Sequence, residues 1–545
     1  MPIYRHSVYG LTTLLVLGAA LLVHHFWGHG GHFGFDDMHY ARLANQFANG
    51  IFRTTAGHYT YRWGMVVPHG VMYALFGVGD HTSAIVPLLA TLLTLGCIWL
   101  LTDSLPVPAR AWAMAFTAFS EWVFFYSNKL MPDVLVMTCV TVAAAVYYQH
   151  RFVWNGTKPV WAAWCTAGAL FLGFLCKETV VLTMPVFAAL LLADLWRGRL
   201  TRFWLFAAGF GVLMTAVYLW YCAWAFGHPL SRFHAISANS YFNPCSYDQL
   251  PLENTLRRIG YELWAVFLST GVLTGLVFMV PALWRQRETA SGERTAEQRF
   301  LLFIGVGMLL ASNFMTTSPK AYVPLCLDIR HYLFAIPFVG MSAAVGASEW
   351  LKEKTMWRTY WPVVLAVVLL YVSWRRYPEG LYAFAVLTAV LLCCAVLRHR
   401  LAQGYLWWML LLPLLVKPVW VMHNAQQSNY TVQKDMVYRY LTTYPSHKML
   451  VISNPVECNI DEYLLGFDAA RVRFVSFKEL TPDAVVQSDT AVLILNGMTA
   501  WMSNLDWEDM PGWVQQPDSS RVMLDQRSGI EWYGLNKADL MRRLQ

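Results

Sequence analysis

No glycine-rich loop accompanies the short strand-like runs of this chain, which argues against nucleotide binding of the phosphate-loop or dinucleotide kind. There is no contiguous basic patch either. The formal charge of +7 comes mainly from short segments beside apolar runs, so nucleic acid is not the expected partner. The two halves show no evident inverted repeat, which weighs against the usual build of a secondary transporter. Charge of either sign is scarce: 13% of 545 residues are charged and 57% are hydrophobic, with a mean hydropathy of +0.40. Apolar runs of 18 or more residues therefore dominate, and the chain reads as an integral membrane protein.

The first apolar run, 9–27, lacks the small-residue motif of a cleaved leader and is followed by many others, so it reads as a retained helix. Further spans are expected at 82–101, 109–126, 134–148, 161–176, 180–196, 203–226, 261–284, 300–315, 332–347, 361–374, 381–397 and 405–421. The expectation is an all-α polytopic protein of about thirteen transmembrane helices. Five basic segments, at 149–158, 196–202, 284–299, 349–358 and 398–400, then fall on one side. Basic loops stay in the cytoplasm, which places the N-terminus inside and everything after Val421 outside. Arg232, Arg257 and Arg258 lie on the outer side against this bias, and a positive residue retained there invites a functional reading.

The outer face also holds the unusual polar residues. In the first loop, 28–81, the run DDMHYARLANQFANG puts Tyr40, Leu43, Ala44 and Phe47 at helical spacing, with Asp36 as N-cap and Gly50 as C-cap. Such a helix lies at the membrane interface. The second half of the loop, YTYRWGMVVPHGVMYALFG, is apolar but short and interrupted by Pro68, so it reads as a juxtamembrane or re-entrant helix. A carboxylate at a helix start is favoured as the anion, which suits Asp36 to act as a base or a cation ligand. The residues alone equally fit ordinary caps at Asp36, Asp37 and Asp133, a snorkelling Lys177 beside Glu178, and an interfacial anchor at Arg330 and His331. Together, Asp36, Asp37 and Asp133 with Arg62, Lys177 and Arg330 form an outer ring suited to transfer from a lipid-linked phosphate donor, an acid taking a proton while cations stabilise the departing phosphate. A transporter or flippase of an amphiphilic anion could use the same ring for binding.

On these residues the chain resembles the polyprenyl-phosphate-sugar-dependent glycosyltransferases of the GT-C fold, the group of the lipid A aminoarabinose transferase and the protein O-mannosyltransferases. FDDMHYARLANQFANG resembles the family's first outer loop, with Asp36 on its catalytic aspartate, Asp37 in place of a glutamate, and Tyr40 on its tyrosine. Arg62 in YRWG falls near the donor-phosphate residue, Asp133 in LMPDVLV on a second outer aspartate, and Lys177 in GFLCKETVVLTMP on a lysine ending a span. Glu178 follows it, and Arg330, His331 and Tyr332 in RHYLFAIP resemble a late Arg-Tyr motif with His331 inserted. The resemblance covers residues 1–422 and implies inverting transfer of one sugar from an undecaprenyl-phosphate type carrier to an envelope lipid, glycan or protein. It places the reaction on the periplasmic face of a bacterial inner membrane. Asp36 and Asp37 would be catalytic and the other residues would bind substrate. No cofactor is firmly implied; some relatives use a divalent cation, but two adjacent aspartates without a third ligand give little independent reason for one.

Beyond residue 422 polar residues rise. The runs MLVIS, VRFVSF, AVLILNG and RVMLD alternate with helix-like stretches such as TVQKDMVYRYLTTY and DEYLLGF, so 423–545 reads as a small periplasmic α/β domain. Of ten cysteines, most lie in expected spans, whereas Cys245 and Cys326 fall in outer loops and are expected to form a disulfide.

Overall fold

The computed structural model describes residues 2–55, 57–238, 244–288, 296–318, 320–353, 355–424, 429–442, 448–468, 472–505, 510–515 and 521–544, so the basic segment at 284–299 lies partly outside it. Among these residues nine helices are long and apolar enough to cross a membrane, or ten when a bent pair counts as one span. Of the other expected spans, all helical, three fall short for physical reasons. Residues 109–126 divide into Val107–Ala118 and Glu121–Tyr126, where Glu121 meets Lys417 at 2.9 Å. Ala296–Phe314 carries polar or charged residues at both ends, while the expected span 361–374 lies within the 21-residue helix Met356–Arg376, whose first two side chains are outside the described residues. The expected span 261–284 is Leu252–Ser269 followed by Val272–Trp284, bent by 93°. Gly271 makes that corner with φ +77°, a conformation glycine adopts without a Cβ penalty.

Burial separates the helices into two classes. Ile329–Trp350 and Pro132–Val153 are mostly buried and form the centre of the bundle, whereas few residues of Thr201–Phe226 are buried, as in a helix at the rim of the bundle. Trp63–Phe76 is apolar but only 14 residues long, too short to span, and includes Pro68.

The C-terminal region contains a five-stranded mixed sheet: β1 Met449–Ser453, β2 Val472–Ser476, β3 Thr490–Asn496, β4 Arg521–Arg527 and β5 Ile530–Leu535, in the order β2-β1-β3-β5-β4. The first three strands run parallel and β5 is antiparallel to both β3 and β4. The sequence reading omits β5, IEWYGL, which the Ser528–Gly529 turn folds back on β4; both turn residues have positive φ, as a tight hairpin turn requires. The sheet is buried on helices that include Pro455–Leu464 and Lys537–Leu544.

This region docks on the loop 28–81. Arg42 pairs with Glu462, Asn459 donates to the Gly34 carbonyl at 3.0 Å, and Lys434 pairs with Asp80 at 2.7 Å. Gly31 sits so close that a Cβ there would lie 2.3–2.7 Å from Tyr430, and its φ is +94°. Gly31→Ala is therefore expected to weaken the docking by about 1–3 kcal/mol. Faster limited proteolysis between the two regions would register the change.

Candidate active site

The helix that begins at Asp36 runs to Ala48, and its N-cap is Phe35, with no side-chain cap hydrogen bond. Asp36 is therefore not the cap that its position suggests. Its carboxylate is left free to face across the loop: Tyr59 Oη donates to Oδ1 at 2.5 Å, and Arg330 Nη1 lies 3.3 Å from Oδ2. Burial alone would raise this carboxyl, but Arg330, the Tyr59 hydroxyl, Lys177 and Arg62 outweigh it and hold it below the usual range. At 30% side-chain exposure Asp36 is both ionised and reachable.

Three breaks in the chain deliver the cations. Arg62 is the joint between the short helix His58–Tyr61 and Trp63–Phe76; its guanidinium donates to Tyr40 Oη and pairs with Glu178 at 3.2 Å. Lys177 has extended backbone between Pro159–Cys176 and Glu178–Thr183, and its ammonium meets Asp133 Oδ1 at 2.7 Å. Asp133, like Asp36, is not a cap: Met131 holds that position and Pro132 starts the helix. Asp328 caps the turn Ile329–Ala335 by accepting from the Arg330 amide at 3.2 Å, and it also lies 2.7 Å from Arg330 Nε. That double contact aims Arg330 at Asp36. His331 is within electrostatic reach of Lys177, Arg330 and Asp36, and its Nδ1 has no hydrogen-bond partner.

The structure thus brings together Asp36, Tyr40, Arg62, Asp133, Lys177, Glu178, Arg330 and His331. It turns Asp37 and Tyr332 elsewhere. Asp37 is buried and accepts from the amides of Phe33 at 2.6 Å and Phe35 at 3.0 Å, holding the preceding loop. The adjacent aspartates accordingly do not converge on a common point and make no metal pair. Tyr332 Oη accepts from Arg258 at 2.5 Å and donates to the Cys326 carbonyl at 2.7 Å.

Arg232 and Arg258, retained against the charge bias, are fully buried. Arg232 pairs with Glu178 at 2.7 Å, so one carboxylate lies between two guanidiniums; Arg258 also donates to the Leu325 carbonyl and to Asn313. Tyr59, Asp328 and Lys129, which donates to the Gly31 carbonyl at 2.6 Å, are not among the site residues expected from the sequence. So are His29 and His32, which with Asp80 bring three donor atoms within 4.8 Å of one another, a set suited to a divalent cation. The visible signal for them is GHGGHFG immediately before the acidic pair.

Cys245, on the loop before Leu252–Arg257, and Cys326, on the loop before Tyr332, are joined, with Cα atoms 5.2 Å apart. Without reductant, a maleimide probe is expected to leave both unlabelled, and labelling of either would contradict the bond.

Residues 69–221 match the family described as dolichyl-phosphate-mannose-protein mannosyltransferase. ArnT from Cupriavidus metallidurans bound to undecaprenyl phosphate superposes with a TM-score of 0.60 over 97% of both chains at 14% identity. Its apo state gives 0.57 over 99% of both at 13%. The fold is the GT-C fold of ArnT. No curated protein sequence matches the chain. The GT-C resemblance is thus carried by the whole architecture, C-terminal sheet included, and places the protein in a membrane.

Proposed function

We propose that this protein is an inverting glycosyltransferase that moves one sugar from a polyprenyl-phosphate donor to a hydroxyl or phosphate of an envelope lipid, glycan or protein, on the periplasmic face. The observation that carries the reading is Asp36: a carboxylate held ionised among Arg330, Lys177 and Arg62, yet open to solvent. The family match at 69–221 and the undecaprenyl phosphate bound by ArnT support the donor class.

In the reaction the acceptor oxygen attacks the anomeric carbon as its proton passes to Asp36. The bond from that carbon to the phosphate oxygen breaks with inversion, and polyprenyl phosphate leaves with the bonding pair. Arg62 and Arg330 hold the donor phosphate and take up the charge that develops on it. Lys177, neutralised in part by Asp133, adds positive potential beside them, and Tyr40 and Glu178 set the angle of Arg62. His331, within electrostatic reach of Lys177, Arg330 and Asp36, offers its unpaired Nδ1 to the substrate.

Mass spectrometry of envelope lipids and glycans compares cells carrying the wild-type protein with cells carrying Asp36→Asn. The expected result is loss of a sugar-sized mass from one acceptor, with accumulation of its polyprenyl-phosphate donor. Identical profiles from a well-folded variant, in cells that express the pathway, would favour transport of the lipid instead.

A further inference from the structure

The segment His29-Gly30-Gly31-His32 carries two imidazoles with little exposed side chain, which the proposed reaction does not use. His29 has neither ring nitrogen hydrogen-bonded, although its side chain is only 6% exposed. Buried polar atoms are nearly always paired, so two orphaned nitrogens on one buried ring call for a partner. Both His29 and His32 turn an Nε2 to the same oxygen, Asp80 Oδ1, at 4.0 and 3.2 Å. Two ligands each about 2.1 Å from a common ion and at a near-tetrahedral angle lie roughly 3.2–3.4 Å apart. The His32–Asp80 pair already meets that spacing, and His29 needs to approach by about 0.6 Å.

We propose that His29, His32 and Asp80 bind a divalent transition-metal ion of zinc-like ligand preference, which clamps the loop carrying Asp36 to the C-terminal domain. Two imidazoles and one carboxylate are a borderline donor set that selects zinc-class ions over magnesium or calcium, and water completes the coordination. The surroundings supply the outer contacts of such a site. His32 Nδ1 faces Asp37 Oδ2 at 3.6 Å, the carboxylate–imidazole arrangement that orients a ligating ring through its other nitrogen. Asp37 is in turn fixed by the amides of Phe33 and Phe35.

Asp80 is oriented from the C-terminal domain: Tyr430 Oη donates to Oδ1 at 2.6 Å, and Lys434 pairs with Oδ2 at 2.7 Å. The Lys434 charge therefore occupies the oxygen turned away from the imidazoles, and the Lys129 ammonium is taken up by the Gly31 carbonyl. The ion would join the first outer loop, the start of the span Asp80–Leu101 and, through Asp80, the helix Tyr430–Thr442. Asp36 follows directly from this anchor, four residues beyond His32, so the clamp sets where the proposed base points without touching substrate.

The test uses the full-length protein in detergent, stripped with a chelator and titrated with Co2+, whose tetrahedral complexes absorb strongly in the visible. Wild type is expected to take up one Co2+ per chain with that spectrum, to release it to Zn2+, and to unfold at a higher temperature with Zn2+ bound. His29→Gln removes a ring with no hydrogen bonds, so its metal-free unfolding temperature should match wild type. Its metal affinity should fall by more than the roughly 10–100-fold that loss of an outer partner produces. Failure of the stripped wild type to bind stoichiometric Co2+ or Zn2+, or wild-type affinity in His29→Gln, would overturn the proposal. Neither readout depends on sugar transfer, so a chain that binds metal but moves no sugar would refute the proposed reaction and leave this site standing.

Discussion

Asp36→Asn is expected to lower the transfer rate by about 10²–10⁴-fold, the usual contribution of a positioned general base, while the donor still binds. Asparagine keeps the shape of the side chain and its contact with Tyr59, but has no lone pair basic enough to take the acceptor proton. The donor phosphate is assigned to Arg62 and Arg330, which the substitution leaves in place, so KM for the donor should hold or fall as Arg330 loses a competing carboxylate. Single-turnover kinetics on the purified protein would separate the two effects. A parallel loss of donor binding and rate would mean that Asp36 positions Arg330 rather than accepting a proton. The pH profile gives a second reading. Because neighbouring cations and Tyr59 hold the Asp36 carboxyl below its usual range, the proposed base stays ionised as pH falls. The acid limb set by Asp36 should therefore lie below the ordinary carboxyl value of about 3.9.

Why one aspartate of the pair meets Arg330 and the other does not follows from helix geometry. Successive helical residues project about 100° apart, so of two adjacent carboxylates one faces the cleft and the other faces back along the loop. The motif shows the pair, and only the fold decides which member is which. Arg232 illustrates the converse. It stands out in the sequence as a departure from the expected charge bias, whereas its partner Glu178, 54 residues away, depended on the break after Cys176. Most spans were legible because hydropathy reports the length of an apolar run. The bend at Gly271 and the interruption at Phe119–Ser120 were not, because a hydropathy sum is insensitive to φ and ψ. Likewise β5 is a six-residue run whose pairing depends on the Ser528–Gly529 turn. The histidines were plain in GHGGHFG, but without Asp80, 48 residues beyond His32, they had no common focus.

Glu178→Gln is expected to destabilise the protein by about 3 kcal/mol, the lower end of what breaking a buried ion pair produces. One carboxylate serves two guanidiniums: Oε1 accepts from Arg232 Nε and Nη2 at 2.8 and 2.7 Å, and Oε2 from Arg62 Nη2 at 3.2 Å. Glutamine retains one acceptor and turns an amide toward the other guanidinium, leaving two cations close together with nothing to neutralise them. Arg232 is 1% exposed and Arg62 10%, so water offers them little relief; the 24% exposure of Glu178 itself moderates the loss and sets the estimate at the low end. Arg232 keeps its bond to the Phe174 carbonyl and holds its place, so the strain falls on Arg62, which shifts from its hydrogen bond with Tyr40. The functional consequence differs from that at Asp36: KM for the donor should rise while the rate from bound donor changes less. Thermal unfolding in detergent together with donor titration would check both parts. An unchanged unfolding temperature would show that solvent or a bound anion already screens the two arginines, and that Glu178 is dispensable to the fold.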